Sequence, residues 1–258
     1  MYAEASGDIC LYQSLPQSDV LGNRRLAGLA KGSVMEEKKH LVGGISRKTL
    51  ERLPVYHHYL ERRDSEGLVN ISAPVIALDL QLNEVQVRKD IAMVARSAGK
   101  PKTGYVVKDL IDDIEEFLGY HNTNQAVLVG AGSLGKALLS YRGFEQYGVE
   151  IVMAFDGDAK KAEQKVGEKM ILPMEKLENL CRRMNIHIGI ITVPADSAQE
   201  VCDRLVDGGV RAIWNFAPIH LNVPDHVLVQ NENMAVSLAA LSKYLYETDK
   251  DAVRGNGV

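Results

Sequence analysis

Alternating strand and helix signals after residue 124, and two short helices joined by a tight turn before it, predict an α/β protein in two parts. The first part reads as an N-terminal winged helix-turn-helix domain. The second reads as a Rossmann domain, a doubly wound parallel sheet, followed by one C-terminal helix. Composition agrees: with 258 residues, 46% of them hydrophobic and 25% charged, and 22 Gly against 8 Pro, the chain suits a folded globular protein rather than a disordered or collagenous one. A net charge of −4 argues neither for nor against nucleic acid, so the local distribution of charge decides.

Three cysteines, Cys10, Cys181 and Cys202, lie far apart and lack Cys-x-x-Cys or His-x-His spacing, so neither a disulfide framework nor a metal site is expected. Cys181 and Cys202 fall in apolar helical stretches and read as small buried hydrophobes. No apolar run reaches the length of a membrane span, and Glu4 and Asp8 stand where a signal peptide needs an apolar core. A cytoplasmic protein with no membrane contact is expected. Residues 1–34 show no sustained period; residues 1–44 are expected to form a disordered or flexible extension, with Met35 as an alternative start.

The expected winged-helix domain spans residues 45–120. Leu50, Leu53 and Leu60 mark an amphipathic helix that Pro54 should kink or begin. Ser72 then offers an N-cap with Pro74 just inside a helix carrying Val75, Ile76, Leu78 and Leu80. After a turn at Gln81-Leu82, Asn83 and Gln86 have capping-box spacing and open a second helix, predicted to end at Gly99. Lys100 to Gly104, followed by Tyr105-Val-Val107, reads as a basic hairpin. Between residues 86 and 108, Arg88, Lys89, Arg96, Lys100, Lys102 and Lys108 face Asp90 alone, a local excess of five positive charges. A phosphate backbone would seek such a surface.

The polar run 120–125 separates this unit from the expected dinucleotide-binding domain, residues 124–231. Gln125-Ala-Val-Leu-Val-Gly130 is a buried-strand run that flows into Gly130-Ala131-Gly132-Ser133-Leu134-Gly135 and a helix over 136–141. This is G-x-G-x-x-G in its required context. The first Gly allows the turn, the second lets a pyrophosphate approach the backbone, and the third lets helix and strand pack closely. The next strand, Val149–Phe155, ends in Asp156, 21 residues past Gly135, where a carboxylate bonds the adenosine ribose and disfavours a 2′-phosphate. Lys160 and Lys161 beyond it soften that exclusion. NAD is therefore the expected cofactor.

Strands at 187–193 and 211–217, separated by helices over 173–184 and 195–206, complete the doubly wound pattern. Their ends, Thr192-Val193-Pro194-Ala195 and Asn215-Phe-Ala217-Pro218, fall at the carboxyl edge where ligands bind. Neither end carries an obvious general acid or base. His220 is the nearest, and reads as a surface histidine. A last helix, Glu232–Tyr246, sets Met234, Leu238, Leu241 and Leu245 in a stripe that could pack on its own domain or on a partner subunit.

Taken together, Arg52-Leu-Pro-Val-Tyr-His-His-Tyr-Leu60, Val87-Arg-Lys-Asp90, Gly104-Tyr105, the glycine loop, Phe155-Asp156, Thr192-Val-Pro194, Asn215-Phe-Ala-Pro218 and Leu221-Asn-Val-Pro224 resemble the Rex redox-sensing transcriptional repressors of bacteria. The resemblance runs from about residue 45 to 246. It implies a non-enzymatic homodimer whose winged helices bind operator DNA and whose Rossmann domains weigh NADH against NAD⁺. It also implies that the final helix, residues 232–248, is exchanged between subunits near the partner's nicotinamide, and that high NADH releases DNA. His58 and Asn233 stand where the family usually has an Arg and an Asp that pair in one state. Tyr141, near that switch, is retained. Pro101 and Lys102 replace the wing's usual Arg and Gly, and Gln81 replaces a Gly in the helix-turn-helix.

Operator contacts are thus expected from Gln86, Arg88 and Lys89 on the recognition helix and from Lys100, Lys102 and Tyr105 in the wing. The glycine loop and Asp156, with Thr192, Val193, Pro194, Asn215, Ala217, Tyr141 and Asn233, should line the cofactor site. The paired change at His58 and Asn233 points to a divergent member with an altered redox response. Two rivals are a small NAD-dependent oxidoreductase and a DNA-binding repressor that senses another nucleotide-like ligand.

Overall fold

The computed structural model describes residues 45–255, with side chains to residue 248, so the expected extension over 1–44 lies outside the described residues. Helix α1 (Arg47–Ser65) starts where the Ser46 hydroxyl accepts the Thr49 N–H at 3.2 Å. It runs unbroken through Pro54, which neither begins nor ends it. The proline removes one helical hydrogen bond, while Leu53, Tyr56, Tyr59 and Leu60 bury a continuous face around it.

Strand β1 (Asn70–Ile71) leads into α2 (Ala73–Asp79), whose Ser72 has N-cap backbone geometry but makes no side-chain cap bond. The turn that follows holds Gln81 at φ +54°, a left-handed conformation in a residue other than glycine, and closes with Leu82 N–H donating to Ala77 at 2.8 Å. Asn83 caps α3 (Glu84–Val94) by accepting the Gln86 N–H. The capping box does not close, because the Gln86 amide turns to Asp90 instead. Helix α3 also stops at Val94 with Ala95 extended, not at Gly99. Gly99 has another reason to be glycine: a Cβ there would lie 2.9 Å from the Tyr105 ring.

Lys100 and Gly104 bridge across a turn with Lys102 at φ +70°, forming a short wing, and β2 (Tyr105–Val106) returns antiparallel to β1. Gly104, at φ +76°, has no room for a Cβ, which would fall 2.1 Å from the Ile71 carbonyl. Val107, read as the end of the hairpin, instead opens α4 (Val107–Leu118), a helix absent from the sequence reading. Leu110 and Ile114 seat it on the α1–α3 core.

The sheet domain has seven strands in the order β5-β6-β4-β3-β7-β8-β9, all pairs parallel except β5 with β6. These are β3 (Asn124–Val129), β4 (Val149–Asp156), β5 (Lys165–Val166), β6 (Lys169–Pro173), β7 (Ile188–Ile191), β8 (Ala212–Asn215) and β9 (Leu228–Asn231). Chain order reverses between β3 and β7, the switch point where α/β sheets bind ligands. Helices α6 (Leu177–Met184) and α7 (Ala195–Asp207) bury Leu177, Cys181, Cys202 and Leu205 against Val127, Val129 and Phe155. On the other face, Leu139 of α5 (Ser133–Ser140) packs among Leu128, Ala154 and Ile190. Burial pushes both cysteine thiols up to about 11, so they stay protonated and serve packing.

Residues 173–184 are not one helix: Pro173 ends β6, and a 3₁₀ turn over 174–176 precedes α6. The sequence reading contains neither the β5–β6 hairpin nor the short edge strand β9. Helix α8 (Met234–Gly255) begins later and runs further than 232–246. Its stripe does not pack on its own domain: Met234, Leu238, Leu241 and Leu245 are 55%, 62%, 62% and 59% exposed. No described helix is long and apolar enough to cross a membrane.

Candidate dinucleotide and operator sites

The three loop glycines occupy three different environments. Gly130, at φ +105°, turns the chain off β3, and a Cβ there would meet the Thr192 carbonyl at 2.8 Å. A Cβ on Gly135 would lie 2.0 Å from the Gly130 carbonyl oxygen and 2.9 Å from Thr192 Oγ1, so the start of α5 sits against the turn. Gly132, exposed as the N-cap of α5, has open space where its Cβ would be. Ser133 and Leu134 begin that helix, also exposed, and present its first amides to solvent. The arrangement is an anion cradle at a helix N-terminus.

Asp156 ends β4 and is buried behind the loop. Its Oδ2 accepts the Ala131 N–H at 2.7 Å and meets Lys161 Nζ at 3.1 Å, while Oδ1 accepts the Asp158 N–H at 2.9 Å. Burial alone would raise its pKa, but these bonds outweigh it and hold the carboxyl below its usual range. The carboxylate therefore braces the loop, with Lys161 offsetting its charge.

Thr192 and Asn215, expected at the ligand edge, also act as braces. Thr192 Oγ1 donates to the Gly130 carbonyl at 2.8 Å and approaches that of Val129 at 3.1 Å. Asn215 is fully buried; its amide reaches the Ala217 and Ile219 carbonyls and Asn231 Oδ1, and its Oδ1 accepts the Ala217 N–H. Val193 is half-buried and Pro194 exposed at the start of α7, while Ala217 is buried.

Tyr141 and Asn233 are not beside the glycine loop. Tyr141 caps the far end of α5, where its ring stands edge-on to Phe144, 4.9 Å between centroids, and joins Trp214 and Ile190 in an apolar cleft. Asn233 precedes α8, its Oδ1 accepting the Ala235 and Val236 N–H groups at 3.1 and 3.3 Å. His58 is exposed on α1.

In the winged helix, sequence reasoning missed the buried centre that holds the recognition helix. Asp90, 1% exposed, is gripped by Arg52 through Nε at 2.7 Å and Nη2 at 3.0 Å, by the Tyr56 hydroxyl at 2.9 Å, and by Gln86 at 2.9 Å. Gln86 is exposed on α3, with its side-chain amide donating to Asp90. Arg88 is exposed but reaches Glu84 at 2.5 Å, and Arg96 is held by Asp113 and Glu116, so the charge excess is smaller than the sequence count. Lys89, Lys100 and Lys102 are exposed, and Tyr105 is half-buried beneath the wing.

Burial pushes the Asp90 carboxyl up, but Arg52, Gln86 and Tyr56 outweigh this and hold it below its ordinary range. A carboxyl lowered on folding stabilises above its unfolded value, about 3.9, and loses that contribution as pH falls through the folded value. The stability gap between the wild type and Asp90→Asn is therefore expected to be constant above about pH 5 and to shrink below about pH 4. Urea unfolding at stepped pH checks this; a gap that persists to about pH 2 would contradict it.

Comparison with known proteins places these features. A family model described as "CoA binding domain" matches residues 121–219, and one described as "Putative DNA-binding protein N-terminus" matches residues 44–92. The redox-sensing transcriptional repressor Rex of Carboxydothermus hydrogenoformans is 45% identical over 198 residues, 77% of this chain and 95% of that protein. Rex of Treponema denticola is 42% identical over 193 residues, 75% of this chain and 91% of that protein. The crystal structure of RSP with β-NAD⁺ and operator DNA superposes with a TM-score of 0.76 at 32% identity, covering 83% of this chain and 99% of that one. RSP, a Rex-family repressor, is also solved with β-NADH, at a TM-score of 0.71 and 33% identity over 81% of this chain and 97% of that one. With relatives this similar along nearly their whole length, the chain belongs to the Rex family of redox-sensing transcriptional repressors.

Proposed function

We propose that this chain is an operator-binding repressor that senses NADH against NAD⁺ through its Rossmann domain and releases DNA when NADH is bound. The observation that carries the reading is the pairing, in one chain, of an open Gly132 at the start of α5 with a winged helix whose Lys89, Lys100 and Lys102 are exposed. The glycine loop would hold the pyrophosphate, and Asp156 the adenosine ribose. Lys89, Arg88, Lys100 and Lys102 would meet operator phosphates, with Tyr105 supporting the wing. Release of a bound operator duplex on adding NADH, but not NAD⁺, tests the reading.

The working unit is a homodimer. Helix α8 exposes Met234, Leu238, Leu241 and Leu245, an apolar stripe that a monomer leaves in water, and Tyr141, Phe144, Val149, Ile188 and Trp214 line an apolar cleft on the sheet domain. Exchange of α8 between subunits would cover both and bring Asn233 and Tyr141 near the partner's nicotinamide. The chain acts as a regulator and not as a dehydrogenase, in line with relatives named as repressors.

His58 and Asn233 make the redox response of this chain differ from that of relatives with the Arg and Asp pair. His58→Arg with Asn233→Asp tests this without disturbing the fold, because residue 58 is exposed and Asp caps a helix as well as Asn. The double substitution is expected to shift the NADH midpoint for operator release by at least about threefold, roughly 0.65 kcal/mol. An unchanged midpoint would refute the altered response.

A further inference from the structure

Helices α1 and α4 and the connector behind them assemble three imidazoles and two carboxylates that the proposed function does not use. His57 is buried on α1 with Glu61 one turn on, its Nδ1 3.4 Å from Glu61 Oε2. Its Nε2 lies 2.7 Å from Glu115 Oε1 on α4. His121 Nε2 approaches the other Glu115 oxygen at 3.5 Å, and His58 Nδ1 lies 3.9 Å from Glu61. Tyr120 closes one side, its ring edge-on to His57 at 5.5 Å and to Tyr147 of the sheet domain at 5.3 Å.

This cluster is one positive charge short. A neutral imidazole has one donor nitrogen and one lone-pair nitrogen, so a carboxylate at each nitrogen leaves one contact with two lone pairs opposed. No Lys or Arg among the described residues relieves it, since the cationic partners of Glu61 and Glu115 are all histidines. A metal ion held among these groups would fill the deficit. One ligand atom from each of His57, Glu61 and Glu115 lies within 4.8 Å of the others. One ion bonded to each at about 2.0–2.2 Å needs these atoms less than about 4.4 Å apart, so the exposed Glu61 side chain must swing from the Nδ1 side of the ring toward the Nε2 side, where Glu115 stands.

We propose that His57, Glu61 and Glu115 bind a divalent transition-metal ion of the Zn²⁺ class, with water completing its coordination. Imidazole and carboxylate together suit Zn²⁺ better than Mg²⁺ or Ca²⁺, which take oxygen alone. Binding would place a cation between groups that otherwise set a carboxylate against an imidazole lone pair. The ion would join the first and last helices of the winged domain. The sequence hides the site, because only His57 and Glu61 are close in the chain, while Glu115 lies 58 residues beyond His57.

The test uses the full chain, stripped by a chelator and titrated with Zn²⁺ in competition with a chromogenic zinc indicator. The expected result is one tight equivalent per chain, at least about tenfold weaker in Glu61→Gln and in Glu115→Gln, and unchanged in a His187→Gln/His220→Gln control. Zn²⁺ should raise the unfolding temperature of the wild type and not of the Gln variants. Operator binding by each metal-free variant reports that its winged domain is folded, and Glu61→Gln, at an exposed position, serves if Glu115→Gln is not. No stoichiometric uptake by the wild type, or equal uptake by a folded Glu61→Gln variant, would overturn the proposal.

Discussion

Replacing Gly135 with alanine is expected to abolish the NADH response while leaving operator binding intact. The new Cβ would stand 2.0 Å from the Gly130 carbonyl oxygen, far inside contact distance. Neither neighbour can yield cheaply, because Thr192 Oγ1 is already hydrogen-bonded to that same carbonyl at 2.8 Å. Helix α5 must therefore back away from β3, and its first amides leave the place where a pyrophosphate would sit. NADH affinity should fall at least about 100-fold, roughly 2.7 kcal/mol, in a nucleotide-fluorescence titration. Gly132→Ala is the informative companion. No protein atom obstructs a Cβ there, so it should fold with wild-type stability and lose affinity only if phosphate lies against that residue. Normal NADH binding by Gly135→Ala would mean that the nucleotide does not use this loop.

The converse separation comes from Asp90→Ala, which should abolish operator binding and spare NADH binding. Asp90 is the common acceptor for Arg52, Tyr56 and Gln86 in the core beneath the recognition helix. Removing it strands the fully buried Tyr56 hydroxyl and a largely buried guanidinium, at a cost of about 3 kcal/mol. The winged domain should lose its cooperative unfolding at a lower denaturant concentration than the sheet domain, whose core shares no residue with it. Wild-type operator affinity in Asp90→Ala would show that α3 is held by apolar packing alone.

What was legible in the sequence was local in the chain. The glycine loop occupies six consecutive residues and its acid lies at the end of the next strand, so spacing reported the environment of each glycine. The Asn83 cap was legible for the same reason. Distant partners were not: Asp90 reads as a lone acid in a basic stretch until Arg52 and Tyr56 of α1 converge on it, and Arg96 counts toward the positive excess until Asp113 and Glu116 on α4 pair with it. Thr192 and Asn215 were placed correctly at strand ends, but their hydrogen bonds go to the protein, which periodicity cannot foresee. Edge strand β9 escaped because Leu228–Asn231 is only four residues long, mostly exposed and without apolar-polar alternation. Of the two roles expected of Pro54, beginning the helix falls to Ser46, which caps α1 two turns earlier.

The central claim is that one chain couples nucleotide to operator. Its most direct test is a fluorescence-anisotropy titration of a labelled palindromic operator duplex at fixed salt, run without nucleotide, with NAD⁺ and with NADH. The account predicts tight binding in the first two conditions and loss of binding with NADH, with Gly135→Ala remaining bound throughout. Operator affinity that is the same in all three conditions would contradict it.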